Sequence, residues 1–296
     1  MTMNTQPLVS VIIPTYNRSH LLPRAIESVL NQTWQAIELV IVNDGSVDAT
    51  QEVIDSYLRK DRRVVGLKND RNMKLSHAVN AGIERSRADF LMFLDDDCEY
   101  LPECVEKKMA FLRSLSPEPA ILYSNMWMEK TGAVPMVPLH LKNKLLTVDD
   151  MFNCRYPLLE PSTWLCKKDC LRRIGAFDVD LNAYTDVDLL MRALLAGECV
   201  YFFNQPVCIK HKQEGISTVT ADYVERKEQF LKKQISLLRG HKKYLSRFYY
   251  ALGKDLAALR EFKKARDSFN QAFLCDPLAP KYFLEMAYAA MRSWFH

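Results

Sequence analysis

Phe90-Leu91-Met92-Phe93-Leu94-Asp95-Asp96-Asp97 is an apolar run that stops at three consecutive carboxylates. The run reads as a buried strand, and the acids mark its exit, because carboxylates seldom follow a strand into a core unpaired. Three adjacent like charges repel one another, and a divalent cation offsets that cost. Hard oxygen ligands select magnesium or manganese rather than zinc. A solvated loop or a helix cap would also accept three acids, so the residues around the run decide.

Upstream, Leu8-Val9-Ser10-Val11-Ile12-Ile13-Pro14 is a β-branched run closed by a proline, which predicts a buried strand ending at a loop. A helix is expected next, capped by Ser19, with Pro23 in its first turn and Leu22, Ala25, Ile26, Val29 and Leu30 on one face. A second strand over 37–42 runs into Asn43-Asp44-Gly45-Ser46, a composition that demands a turn. A helix over 49–58, a strand over 64–67 and a helix over 77–86 complete a βαβαβαβ series that ends in the carboxylates. Such alternation predicts an α/β fold, a mostly parallel sheet flanked by helices, with ligands bound beyond the strands' carboxyl ends. Pro14-Thr15-Tyr16-Asn17, Asn43-Asp44-Gly45 and Asp95-Asp96-Asp97 all fall at that edge.

Beyond it the pattern is less regular, with short strands expected at 120–124, 163–166 and 200–203 and a helix over 186–195. After residue 221 it becomes wholly helical, so domains of 1–220 and 221–296 are expected. At 296 residues, 48% hydrophobic and 26% charged, the chain can bury a full core. A net charge of +4 gives no case for a nucleic-acid partner. No apolar run approaches the ~20 residues of a spanning helix, and no leader pattern opens the chain, so a cytoplasmic location is expected. The eight cysteines form no C-x-x-C pair and sit in apolar segments, as buried reduced thiols do.

No G-x-G-x-x-G follows the first strand and no Walker loop occurs, so neither a nicotinamide enzyme nor a P-loop phosphotransferase is supported. Asp44, in a turn after the second strand, can accept hydrogen bonds from a base or ribose.

With Val9-Ser10-Val11-Ile12-Ile13-Pro14-Thr15-Tyr16-Asn17-Arg18, Val42-Asn43-Asp44-Gly45-Ser46-Val47-Asp48 and Phe93-Leu94-Asp95-Asp96-Asp97 in this order and spacing, residues 7–217 resemble the family 2 glycosyltransferases of the GT-A fold. The resemblance implies a Rossmann-like nucleotide-diphospho-sugar transferase with Mn2+ or Mg2+ as cofactor. On it, Pro14, Thr15, Tyr16, Asn17 and Asp44 would line the nucleotide, Asp95 would sit near the ribose with Asp96 beside it, and Asp97 would hold the metal. Asn80, in Asn80-Ala81-Gly82-Ile83, which is similar to the family's helix before the metal strand, would be a further nucleotide contact.

A displacement at the anomeric carbon needs a base within reach of the acceptor hydroxyl. Thr185-Asp186-Val187-Asp188-Leu189 resembles the family's Glu-Asp motif, in which the second acid is the base. Asp186 is the candidate and Asp188 the alternative, since Thr185 stands where an acid is common. A helix N-terminus also favours carboxylates with no catalytic role. His211-Lys212-Gln213-Glu214-Gly215-Ile216-Ser217 is similar to a terminal family segment, and makes His211 a candidate for metal or phosphate. The family implies inversion, and the missing Gln-x-x-Arg-Trp motif implies one transfer per encounter. The implied partners are a UDP or dTDP sugar and a glycan, lipid-linked or other hydroxyl acceptor in cell-surface polysaccharide synthesis.

In the tail, Arg226 to Arg247 holds eight Lys or Arg and one acid, which suits either a basic helix lying on the inner membrane face or a solvated surface. Leu252-Gly253, Ala265, Phe269, Ala272 and Pro277 match the small and large positions of one tetratricopeptide repeat near 246–279. A lone repeat must dock on its own chain, a second copy or another protein. Two other readings compete with the transferase: a metal-dependent nucleotidyltransferase, and a noncatalytic adaptor using the tail.

Overall fold

The first strand, β1 (Val9–Thr15), is buried along its whole length because its β-branched side chains are covered on both faces of the sheet. The computed structural model describes residues 6–130, 132–152, 160–211 and 219–293. Two units form, Met1–Val148 with Pro157–Glu214, and Asp149–Tyr156 with Gly215–His296.

In the first unit β1 is followed by α1 (Leu22–Leu30), β2 (Ile37–Asn43), α2 (Thr50–Lys60), β3 (Val64–Lys68), α3 (Leu75–Arg85) and β4 (Phe90–Phe93). These four strands are parallel and ordered β3-β2-β1-β4. The chain continues through β5 (Cys98–Tyr100), α4 (Cys104–Arg113), β6 (Ile121–Lys130), β7 (Gly132–Pro135), β8 (Lys144–Leu145) and the short α5 (Val148–Phe152), which from Asp149 onward belongs to the second unit. A 3-10 turn over Pro161–Thr163 then leads to β9 (Trp164–Lys167), α6 (Lys168–Ile174), α7 (Thr185–Leu195) and β10 (Val200–Lys210). The sheet extends past β4 as β9-β6-β10-β5, with β9 antiparallel to β4 and to β6. It is the expected α/β architecture.

Pro14 sits inside β1 without cost because of where β4 stops. Leu94 N–H donates to Ile12 O at 3.0 Å, and the β1–β4 register ends at Ile12 with Phe93. The missing N–H two residues on would face no strand.

Local expectations needed correction at four places. Ser19 does not cap α1: Leu21 is the cap residue, with no side-chain bond, and Ser19 N–H goes to Asp48 Oδ2 at 3.1 Å. The strands expected at 120–124 and 200–203 run on to Lys130 and Lys210, because each pairs with the other over most of its length. β5 and α4 were not legible as separate elements. Among the cysteines, Cys98, Cys104, Cys166, Cys170 and Cys208 are buried, but Cys199 and Cys275 are half-buried, at element ends; Cys154 lies outside the described residues.

The second unit consists mainly of α8 (Ala221–Leu238), α9 (Lys242–Ala258), α10 (Phe262–Cys275) and α11 (Pro280–Ser293). The basic stretch is therefore two helices, not one. Gly240 weakens helix continuation, His241 N–H closes a turn on Leu238 O at 2.8 Å, and Phe230 meets Phe248 at 5.5 Å across the antiparallel pair. Within α9 and α10, Leu252, Gly253, Ala265, Phe269 and Ala272 are all buried, as in a helical repeat. No helix among the described residues is long and apolar enough to cross a membrane.

Candidate active site

The loops after β1 and β2 lock together. Asp44 N–H donates to Thr15 O at 2.9 Å, Val47 N–H to Asn17 Oδ1 at 2.8 Å, and Asn17 N–H to Ser46 Oγ at 3.0 Å. Asn17 adopts a left-handed φ of 54°, a conformation asparagine tolerates well. Gly45, at φ +74°, admits no side chain, since a Cβ would lie 2.3 Å from Arg71 C. Asp44 is 4% exposed, and its Oδ1 accepts Asn69 Nδ2 at 2.7 Å and Met73 N–H at 2.9 Å. Tyr16, at 42% exposure, presents an uncovered ring beside this shelf.

One strand over, the three carboxylates have different surroundings. Asp96 is 4% exposed and accepts Thr15 Oγ1 and Arg18 Nη1, each at 2.8 Å. Arg18 Nη1 also lies 3.8 Å from Asp97 Oδ2. Asp95 N–H is held by Ser162 Oγ at 3.0 Å. Burial, then the charge of Glu160, push the Asp95 carboxyl up to about 7, against the pull of Lys210. Glu160 is itself ion-paired with Lys210.

Asp95, Asp97 and Cys98 bring one ligand atom each to within 4.8 Å of one another. Burial and the neighbouring carboxylates drive the Cys98 thiol far above its ordinary value, so it stays protonated and sits 3.5 Å from both Asp97 Oδ1 and Glu160 Oε1. The donors left are carboxylate oxygens, a set that fits a hard divalent cation.

Asp186 and Asp188 start α7 but differ in setting. Asp188 is fully buried and paired with Arg192, Nη2 to Oδ2 2.6 Å. Asp186 is partly exposed. Burial raises its carboxyl, the N–H groups of Val187 and Asp186 oppose this, and Glu160 adds to the rise. The Glu160–Lys210 pair thus acts on both Asp95 and Asp186.

Two other candidates are engaged elsewhere. Asn80 gives Nδ2 to Phe177 O at 2.7 Å and takes Phe177 N–H on Oδ1 at 3.0 Å, so its amide clamps a backbone. The Phe177 ring meets Phe93 edge-on at 5.6 Å. His211 N–H donates to Asp97 O at 3.0 Å, but the ring nitrogens face Glu129 Oε2 at 2.6 Å and Glu99 Oε2 at 3.0 Å. The ring is not part of the Asp95–Asp97 cluster. Lys212 to Ser217 lie outside the described residues.

The family model for Glycosyl transferase family 2 matches residues 10–122. An uncharacterized glycosyltransferase of Rickettsia typhi is 30% identical over 242 residues, 79% of this chain and 74% of that one. The chain belongs to glycosyltransferase family 2. In fold, this glycosyltransferase is similar to S. aureus TarS (TM-score 0.68, 17% identity, 96% of this chain), though it spans only 53% of that protein. TarS 1–349 in complex with UDP-GlcNAc is similar over 90% of this chain and 89% of that one (TM-score 0.64, 17% identity). A mannosyltransferase of Pyrobaculum calidifontis in complex with GDP-Man and Mn2+ is similar over 98% and 86% (TM-score 0.62, 16% identity). The fold is therefore GT-A.

Four residues of the candidate site stood outside the sequence expectations. Arg18 stood in a quoted motif, and a cation next to three acids was a usable signal. Ser162, Glu160 and Lys210 carried none, because each meets the carboxylates across a long chain separation.

Proposed function

We propose that this glycosyltransferase moves a sugar from a nucleoside diphosphate donor, with UDP or dTDP favoured, onto an acceptor hydroxyl, with inversion and one transfer per encounter. The single observation that carries this is the cluster of Asp95, Asp97 and Cys98 at the exit of the strand that adjoins β1. Asp97 and Asp95 would hold Mn2+ or Mg2+, which when bound stabilises negative charge on a departing diphosphate. Thr15, Tyr16, Asn17 and Asp44 form the nucleotide shelf: Tyr16 offers a ring face to the base, and the Asp44 carboxylate accepts from base or ribose. Arg18, held by Asp96, keeps a cation beside the diphosphate.

Asp186 takes the proton from the acceptor hydroxyl as its oxygen bonds to the anomeric carbon, while the bond from that carbon to the diphosphate oxygen breaks. One base and one displacement give inversion. Asp188 is unsuited to the role, because Arg192 already occupies its carboxylate inside the protein. A polysaccharide acceptor is supported by a Bacillus subtilis relative named for teichuronic acid biosynthesis, 33% identical over 113 residues, and a UDP-sugar donor by the UDP-GlcNAc bound to TarS.

A panel of nucleotide sugars assayed with and without Mn2+ tests the reading. The native chain is expected to hydrolyse at least one donor only with metal, and Asp97→Ala to lose that activity. Metal-independent turnover, or an active Asp97→Ala protein, overturns it.

A further inference from the structure

We infer that the corner between α8 and α9 is a docking surface for a lipid bilayer carrying anionic head groups. From Gln229 to Lys254 the chain contains no Asp or Glu. The two helices run antiparallel, with the Phe230–Phe248 ring contact marking their middle. Past that contact, toward the turn at 239–241, the exposed side chains are Lys232, Lys233, Ser236, Leu237, Arg239, Lys242, Lys243 and Arg247. Six of these eight are cations and none is an acid.

Several other cations of this unit lie against acids of the same unit. Lys227 pairs with Asp255 at 2.8 Å, Arg226 with Asp222, Lys254 with Glu285 at 3.0 Å and Arg266 with Asp267 at 2.8 Å. The corner thus gathers six exposed cations on a stretch of chain that holds no acid of its own. That concentration of one sign costs self-repulsion, which an anionic surface relieves.

The accompanying side chains favour a bilayer over a polynucleotide. Leu237, 46% exposed, stands on α8 among Lys232, Lys233 and Arg239, with its aliphatic side chain available to the boundary between head groups and acyl chains. Single-stranded nucleic acid would need exposed rings for stacking, and the rings nearest the corner, Tyr244 and Phe248, are each only 8% exposed.

Co-sedimentation of the full chain with phosphatidylcholine vesicles, with and without phosphatidylglycerol, tests the inference. Binding is expected only with phosphatidylglycerol and is expected to fall as salt rises. Each cation near such a surface is worth about fivefold in partition, so the combined variant Lys232→Ser, Arg239→Ser, Lys242→Ser, Lys243→Ser should bind at least about 100-fold more weakly. Its melting temperature and metal-dependent donor hydrolysis should match the native chain, which separates this result from failure of the transferase reading. Leu237→Ser alone should weaken binding while leaving its salt dependence intact. Equal binding by native and variant chains, binding to pure phosphatidylcholine, or tighter binding to a DNA duplex or polyglutamate at matched charge overturns the inference.

Discussion

Arg192 holds Asp188 one helical turn away in a buried pair, with Nε at 2.8 Å and Nη2 at 2.6 Å from the same oxygen, Oδ2. The same guanidinium donates to Ala176 O at 2.7 Å and to Ile174 O, so it staples the chain before α7 to the helix carrying Asp186. Removing one partner of a buried pair strands the other, at a cost of about 3 kcal/mol. Asp188→Asn is therefore expected to lower unfolding free energy by about that amount in urea. Asp186→Asn should leave stability within about 1 kcal/mol of native while cutting transfer by about 100-fold or more. An Asp188→Asn protein of native stability but no activity would reverse the assignment.

The raised Asp186 carboxyl sets a pH limb. Only the ionised carboxylate can accept the hydroxyl proton, so activity falls as pH drops through its pKa, about tenfold per unit. Burial, with Glu160 adding, lifts that pKa above the ordinary carboxylate value. The acid limb of kcat/KM should accordingly lie above the usual carboxylate range. A profile flat down to pH ~4, the ordinary aspartate value, would exclude Asp186 as base.

The alternation of strands and helices up to Asp97 was legible because periodicity is a local property, and the first four strands follow it. Asp44 and the carboxylate triplet were legible because turn and exit residues are short signals. Glu160 was not: it reaches Cys98 across 62 residues, and nothing near Glu160 distinguishes it from a solvated acid. Asn80 shows the opposite case. It lies in a motif, yet its amide is used up on Phe177, 97 residues away.

Glu38 gives the fold its own acid dependence. Burial at 1% exposure would raise this carboxyl, but hydrogen bonds from Ser10 Oγ at 2.6 Å, Arg87 N–H at 2.9 Å and Arg87 Nε at 2.7 Å outweigh it. Its pKa falls below the ordinary value. A depressed carboxyl stabilises the folded chain fully above the unfolded pKa, and that contribution disappears as pH falls through the folded one. Glu38→Gln should cost about 1 to 2 kcal/mol at neutral pH. The gap from native should close in urea titrations below pH ~4. A gap that stays constant with pH would mean that packing, not charge, is at stake.

Gly253 tests the packing of α9 on α10. In an open helix position, Gly→Ala stabilises by about 1 kcal/mol through backbone entropy. Here a Cβ would lie 2.6, 2.7 and 3.0 Å from three ring atoms of Phe269, a side chain with no exposed surface. The ring cannot swing into solvent, so the helices must separate, and overpacking of this kind costs about 1 to 3 kcal/mol. The steric cost exceeds the entropic gain, and Gly253→Ala should lower the stability of the chain. Pairing it with Phe269→Leu, which shortens the opposing ring, should recover part of the loss. Independent, additive effects of the two substitutions would show that the glycine is not there for the ring.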